Sequence, residues 1–587
     1  MSHITHAQSF AFSPRRGSPL FLVLLLASAV GLVQAADTNP VTFLKPPSPA
    51  DARPAAGKKL EQNLRVYLDR TFPCGVTLVA VEAQQVRVEG QVGPEHGELV
   101  LVEVPLSAGV TELTQFPAAE PIRPGADGRF SLTLPRRPSA GGTDRLLARW
   151  AVARRIGDGF QLLSHARYAD TVQARVDLPE LKPRNKKGLG GFSAGRRPLS
   201  DLDDLDISAV TVNICLNHFM RSEAGAGRTP FTYAGRTWYT DDAAVADLDR
   251  TMMEAAKRRI VVSAIILINQ AGKAAADTFN RLVAHPDANP AGIFVMPNLT
   301  SEDGVNAYAA ALDFLAQRYS RPDGQFGRIH HWILHNEVNS GWVWTNAGEK
   351  SPLLYLDLYH RSMRMAQLIA RQYDPHAKAF ISLDHFWTRK MDAHCYAGRD
   401  LLDLLLQFSA AEGDFDWAIA HHPYPEDLFN PRVWANTDAT FTFDTPKITY
   451  KNLEVLDAWV RQPRACFQGR TPRTVHLTEQ GLNSRDYSAA ALHDQAAGMA
   501  YAWNKYKTLG TIEAFQYHNW VDNRGEGGLR IGLRKFPDEP GDPLGKKPIW
   551  SVYEALGTPR EADATAFAKP IIGIQDWSEV RHTGAIH

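Results

Sequence analysis

The sequence predicts an α/β chain: a (β/α)8 TIM barrel preceded by a β-sandwich-like N-terminal domain. Three observations predict it. Residues 207–560 repeat, eight times, an apolar strand-like run followed by a segment with helical spacing. Residues 60–178 carry instead short runs of period-two alternation separated by Gly and Pro. Between them, residues 181–206 are rich in Gly, Pro, Lys and Arg and show no apolar run, as a linker does.

The N-terminus comes first. Arg15 and Arg16 precede an apolar run at 20–33 and the small-residue pattern Val33-Gln34-Ala35. That is a charged region, a hydrophobic region and a cleavage signal, so residues 1–35 are expected to be a signal peptide cut before Ala36. The expectation is a secreted or periplasmic protein with no membrane attachment after cleavage. Residues 36–180 then form the β-domain, with runs such as "VTLVAVEA", "VRVEGQV", "ELVLVEVPL" and "GRFSLTLP". It contains no catalytic cluster.

Lys+Arg and Asp+Glu are 64 each. A formally neutral chain has no global basic field, so a nucleic-acid partner is not expected. The four cysteines, Cys74, Cys215, Cys395 and Cys466, are scattered, which excludes a CxxC zinc site and leaves any disulfide open. Within the linker, Gly191-Phe192-Ser193-Ala194-Gly195 matches G-x-S-x-G. A nucleophile elbow needs a strand before it and a helix after it. Lys186-Lys187 before and Pro198 after give neither, so Ser193 is expected to be inert.

The eight predicted barrel strands are "ISAVTVNICLN", "IVVSAIILIN", "GIFVMPN", "IHHWILHNE", "KAFISLDHFW", "FDWAIAHHPYP", "TVHLTEQGLN" and "IEAFQYHNW". Residues 561–587 remain as a tail. Active residues of such barrels lie at the C-terminal strand ends. The fourth strand ends in Asn336-Glu337 and the seventh in Thr478-Glu479, and these are the strands that end on a glutamate. Two carboxylates converging across a barrel mouth are what glycoside hydrolysis needs. Alternation is expected to place Ile333, His335 and Glu337 on one lumen-facing row, and Val475, Leu477 and Glu479 on another.

The other strand ends supply amides, imidazoles and aromatic rings: His218, Asn298, Asn336, Trp387, His422, Tyr424 and Trp520. These suit a neutral polyhydroxylated ligand and are the expected substrate contacts. His331 and His335 invite a metal, but four residues along a strand separate them by roughly 13 Å. No metal and no cofactor are expected. Trp332 and Trp417 are expected in the core, and Trp342, Trp344 and Trp434 as sugar platforms in loops.

Together these strand ends, with "KPIWSVYEAL" closing the barrel, resemble clan A glycoside hydrolases over roughly residues 207–557. The resemblance implies a retaining mechanism with Glu337 as acid/base and Glu479 as nucleophile. It implies Asn336 on the sugar 2-hydroxyl, Tyr424 on the nucleophile and Trp520 as floor of the cleavage subsite. The chain departs from that pattern at the second predicted strand, which ends in Asn269-Gln270 where many such enzymes have an Arg. A carbohydrate-binding barrel without catalysis is the alternative expectation.

Overall fold

The computed structural model describes residues 55–587 apart from 95–96, 114, 117, 139–143 and 271–277. The expected signal peptide and its cleavage point lie outside the described residues. No helix among the described residues is long and apolar enough to cross a membrane.

Among the described residues, the N-terminal unit opens on a helix, Ala55–Asp69, which strand-like patterning did not predict. Two four-stranded sheets follow. One is ordered Arg129–Pro135, Gln85–Gln91, Gly75–Val81, Thr171–Val172, the other Ala119–Pro121, Leu99–Val104, Arg149–Ile156, Gly159–Leu162. Neighbouring strands are antiparallel except for the two-residue Thr171–Val172. Alternation does its expected work: along Gln85–Gln91, Val86 and Val88 are buried while Arg87 and Glu89 are partly exposed.

The second unit is a closed barrel of parallel strands. They are β1 (Lys187–Leu189), β2 (Ala209–Cys215), β3 (Val261–Leu267), β4 (His331–Leu334), β5 (Lys378–Leu383), β6 (Ala418–His421), β7 (Val475–Leu477) and β8 (Ile512–Tyr517). Pairing of β1 with both β2 and β8 closes the ring. A three-stranded antiparallel excursion, Met220–Arg221, Arg228–Tyr233 and Arg236–Asp241, intervenes between β2 and its helix Asp242–Lys257.

Three boundaries differ from expectation. The predicted linker 181–206 is part of the barrel, because it supplies β1. That strand was invisible because it is three residues long and its lumen-facing residue is a glycine. A Cβ on Gly188 would stand 2.7 Å from the Ala209 carbonyl oxygen and 2.8 Å from Gln516 Cγ, so only Gly fits. Conversely "GIFVMPN" is not a barrel strand. It folds over the end of β3 and makes only isolated bridges, such as Asn269 with Phe294, while β3 pairs directly with β4. Both errors precede Glu337, one adding a strand and one removing it, so Glu337 still follows the fourth strand and Glu479 the seventh. Finally, residues 561–587 are docked rather than a free tail. Lys505 Nζ donates to the Val580 carbonyl (2.7 Å), and His582 stacks on Phe441 at 4.2 Å.

The lumen rows also differ from expectation. Ile333 packs inside the barrel with Ile265, Phe380, Ala418 and Ala420, while Trp332 and Leu334 face the helix layer. His335 turns outward as well, where its ring nitrogens meet the Ile266 carbonyl (2.8 Å) and Ser362 Oγ (3.0 Å). On β7, Val475 and Leu477 belong to the outer core. The lumen there receives His476, whose ring lies 5.2 Å from His331 and 4.9 Å from Phe380. Alternation along the ladder therefore does not place either glutamate.

Candidate active site

Both glutamates lie past the last paired residue of their strands, and the loop backbone aims them. Glu337 has φ 36° and ψ 61°, a left-handed conformation that a non-glycine residue holds only when its surroundings enforce it. Its N–H donates to Ser382 Oγ on β5 (3.0 Å). Thr345 Oγ1 donates to the Asn336 carbonyl (2.8 Å). Beyond it, the 3-10 turn Val338–Ser340 is held by Asp384, whose carboxylate accepts from Asn339 Nδ2, Ser340 Oγ and the Phe386 N–H. Asp384, at the end of β5, is thus an anchor for the Glu337 turn.

His422, immediately after β6, ties the site together. Its Nδ1 lies 2.9 Å from Glu337 Oε1 and its Nε2 3.0 Å from Thr478 Oγ1, one residue before Glu479. Tyr424, two residues on, donates its hydroxyl to Glu479 Oε1 (3.3 Å). One ligand-type atom each from Glu337, His422 and Glu479 lies within 4.8 Å of the others, and all three residues are buried.

Burial holds the Glu337 carboxyl well above the ordinary carboxylate range; the nearby Asp384 charge pushes it further, and His518 opposes. Burial also raises Glu479, but there His518 and His422 pull down against the Glu337 charge. The surroundings of the two acids therefore differ: the Asp384 charge adds to burial at Glu337, while two imidazoles oppose it at Glu479. Burial holds His422 below the usual imidazole range, so it is neutral beside them. His518 is opposed by burial, yet the Glu526 carboxylate, 3.5 Å from its Nε2, and the charge of Glu479 outweigh it and raise its pKa.

Of the expected contacts, the structure brings together Glu337, Glu479, His422 and Tyr424. Asn336 is buried beside Glu337 with its side-chain carbonyl unpartnered. His218 is exposed at the rim, its Nε2 2.7 Å from Asn269 Nδ2. The remaining three stand elsewhere. Trp520 is fully buried; its indole N–H donates to Asp201 Oδ2 (2.7 Å) and its ring packs near Phe192, so it offers no face to a sugar. Trp387 is likewise core, with its N–H on the Phe443 carbonyl (2.8 Å) and its ring against Trp459. Asn298 is spent locally, accepting from Thr300 N–H and hydroxyl and donating to Ser301, the cap of helix Glu302–Arg318. A strand-end indole reads alike in sequence whether its face meets ligand or core; its N–H partner, here Asp201 in the supposed linker, decides.

Among the loop tryptophans, Trp344 is buried against Phe294, while Trp342 and Trp434 are half-buried, Trp342 stacking on His394 at 4.5 Å. Trp332 and Trp417 are core, as expected. With β1 counted, the second strand ends at Cys215. The Arg that follows it, Arg221, holds the carbonyls of Asn217, His218 and Met220. Sequence reasoning missed Ser382, Asp384, Thr478 and His518. Asp384 carried a usable signal, as a third acid at a strand end; the others did not. None of the four cysteines is in a disulfide, and all four are buried.

The chain is similar to several solved structures. One is a family 39 glycoside hydrolase from the gut symbiont Bacteroides cellulosilyticus WH2, at 13% identity over 83% of each chain (TM-score 0.40). Another is a glucosidase from Croceicoccus marinus, at 12% identity over 65% of this chain and 69% of that one (TM-score 0.40). A third is a family 1 b-glucosidase from Thermotoga maritima, at 12% identity over 61% of this chain and 84% of that one (TM-score 0.39). The fold assignment rests on this chain's own closed strand ladder. No curated protein matches it. A family model does match, over residues 179–580, which spans β1 through the docked C-terminal segment: the chain belongs to the family described as "Family of unknown function (DUF5722)".

Proposed function

We propose that this protein is a glycoside hydrolase that cleaves O-glycosidic bonds of an oligo- or polysaccharide by retaining double displacement. One observation supports this above the others: two buried carboxylates, at the ends of β4 and β7, have oxygens within 4.8 Å of each other. Retaining enzymes place their carboxyl groups about 5–5.5 Å apart, whereas inverting ones leave about 6.5–9.5 Å for a water.

In this reading Glu337, protonated at rest, gives its proton to the glycosidic oxygen as the bond to the anomeric carbon breaks. Glu479 attacks that carbon and forms an ester-linked glycosyl-enzyme. With Glu479 esterified, the negative charge facing Glu337 is gone, which makes its ionised form easier to reach. Glu337 then takes a proton from water, which attacks the anomeric carbon and releases Glu479. Tyr424 orients the nucleophile, and His422 holds the acid/base carboxyl. The expected leader makes the setting secreted or periplasmic.

The test is hydrolysis of a panel of aryl glycosides and polysaccharides, with the anomer first formed followed by proton NMR. Retained configuration is expected. Inverted product would reassign the mechanism, and sugar binding without turnover would assign a binding barrel.

A further inference from the structure

Glu337, His422 and Glu479 present two carboxylate oxygens and one imidazole nitrogen, all within 4.8 Å of one another, on loops fixed to β4, β6 and β7. We propose that these three side chains form a site for one borderline-soft divalent transition-metal ion, with Zn2+ as the representative, and that the ion and a sugar exclude each other.

The donor set is the one that open zinc sites use: three protein ligands of mixed N and O type, with a fourth position left to an exogenous group. Ligand atoms about 2.0–2.2 Å from a tetrahedral zinc are about 3.4 Å from each other, so the trio has to contract by no more than about 1.5 Å. Glutamate side-chain rotation supplies that. His422 Nδ1 and Glu337 Oε1 are 2.9 Å apart, so that pair opens by about 0.5 Å while Glu479 closes in.

Two of the three ligands also have an outer partner that fixes their orientation. Thr478 Oγ1 stands 3.0 Å from His422 Nε2, leaving Nδ1 as the ligating nitrogen, and Tyr424 donates to Glu479. The imidazole gives the selectivity. Ca2+ takes six to eight oxygens and Mg2+ a water-rich octahedron, and three side chains with one nitrogen suit neither. Zn2+, Cu2+ and Ni2+ suit N/O donors and follow the usual affinity order.

Binding is a property of these residues alone; inhibition rests on the glycosidase reading. Both carboxylates needed for displacement would be engaged by the ion, so inhibition should be competitive with the sugar.

The experiment takes the full chain after chelator treatment and titrates it calorimetrically with ZnCl2, with MgCl2 in parallel. One zinc per chain and no magnesium binding are expected, and Co2+ should give the strong visible absorption of a four-coordinate site. His422→Gln should weaken zinc binding at least tenfold, and Thr478→Val by about 10–100-fold, as loss of an outer partner does. Circular dichroism of each variant checks the fold. Zinc affinity unchanged in both Glu479→Gln and His422→Gln, or no zinc binding by the native chain, overturns the site. Zinc binding that does not slow a demonstrated glycosidase overturns the exclusion. Zinc binding without glycosidase activity under any condition keeps the site and sinks the glycosidase reading.

Discussion

Acids are buried in this molecule in two different ways. Where the β-domain meets the barrel, Glu412 accepts from Tyr67 Oη (3.1 Å), with Arg149 Nη1 at 3.6 Å and His360 Nδ1 at 3.7 Å. Asp201, in the short helix Ser200–Asp204, is paired with Arg534 and receives the indole N–H groups of Trp520 and Trp550. Each of these acids has an arginine beside it. At the mouth, Glu337 and Glu479 hydrogen-bond to side chains without a permanent charge, His422 and Tyr424, with His518 as the titratable group nearby, and face each other. A structural acid is held in the interior by a counter-charge or by several donors, as Asp384 is by Asn339, Ser340 and the Phe386 N–H. A proton-transferring acid needs the opposite, because its charge has to come and go. Burial raises the pKa of Glu412 and of Glu337 alike, so the perturbation alone does not distinguish them; the partners do.

The comparison breaks most visibly at Glu479. Glu479→Gln removes the nucleophile while keeping the shape, and turnover is expected to fall by about 10⁴-fold or more, with Tyr424 and the fold intact. Glu337→Ala is expected to cost about 10²–10⁴-fold on substrates with poor leaving groups. It should spare the first step for activated aryl glycosides, and azide should restore turnover by replacing water at the second. If either variant leaves kcat/KM within twofold on all substrates, the mouth acids are structural after all.

The acids with counter-charges should behave in the reverse manner. Asp201→Ala leaves Arg534 uncompensated in the interior and is expected to cost about 3–5 kcal/mol of stability, measured by denaturant unfolding. Surviving folded protein should retain its kcat. An effect on kcat alone would instead place Asp201 in the catalytic machinery. Ser193→Ala should change neither, since Ser193 is half-buried in the loop after β1, where its backbone carbonyl accepts from the Arg196 N–H (3.1 Å).

Much of the barrel was legible because parallel strands buried on both faces read as apolar runs, as in Val261–Leu267, where every residue is buried. Lys187–Leu189 was not, because its lumen residue is a glycine fitted to neighbouring backbone, which no hydrophobic pattern encodes. The glutamate pair was found through strand ends, yet the assumed alternation was wrong. His335 turns outward to Ser362, and His476 rather than Leu477 faces the lumen. The pair converges because loops aim it, through contacts such as Glu337 N–H to Ser382 on the next strand and His422 to Glu337 across 85 residues. The indoles failed for the same reason: Trp520 is defined by Asp201, 319 residues away.

The finest test of the contrast is the pH dependence at Glu412. Burial is the largest cause there and raises its carboxyl; Arg149 opposes and Asp357 adds, leaving it at about 7 against an ordinary 4.5. A group whose folded pKa is raised stabilises the fold in its protonated form. That contribution is fully present below about 4.5 and is lost as pH rises through about 7, an effect on the order of 3 kcal/mol. Glu412→Gln keeps the acceptor for Tyr67 and cannot ionise. The difference in Tm, variant minus native, should therefore grow from pH 5 to pH 8, while the pH profile of kcat/KM stays that of the native enzyme. The same substitution at Glu337 should move both. If Glu412→Gln shifts the kinetic profile, the junction communicates with the mouth and the two kinds of buried acid are not separate. A flat Tm difference would mean that Arg149 already keeps Glu412 ionised throughout, a stronger structural pair than its surroundings suggest.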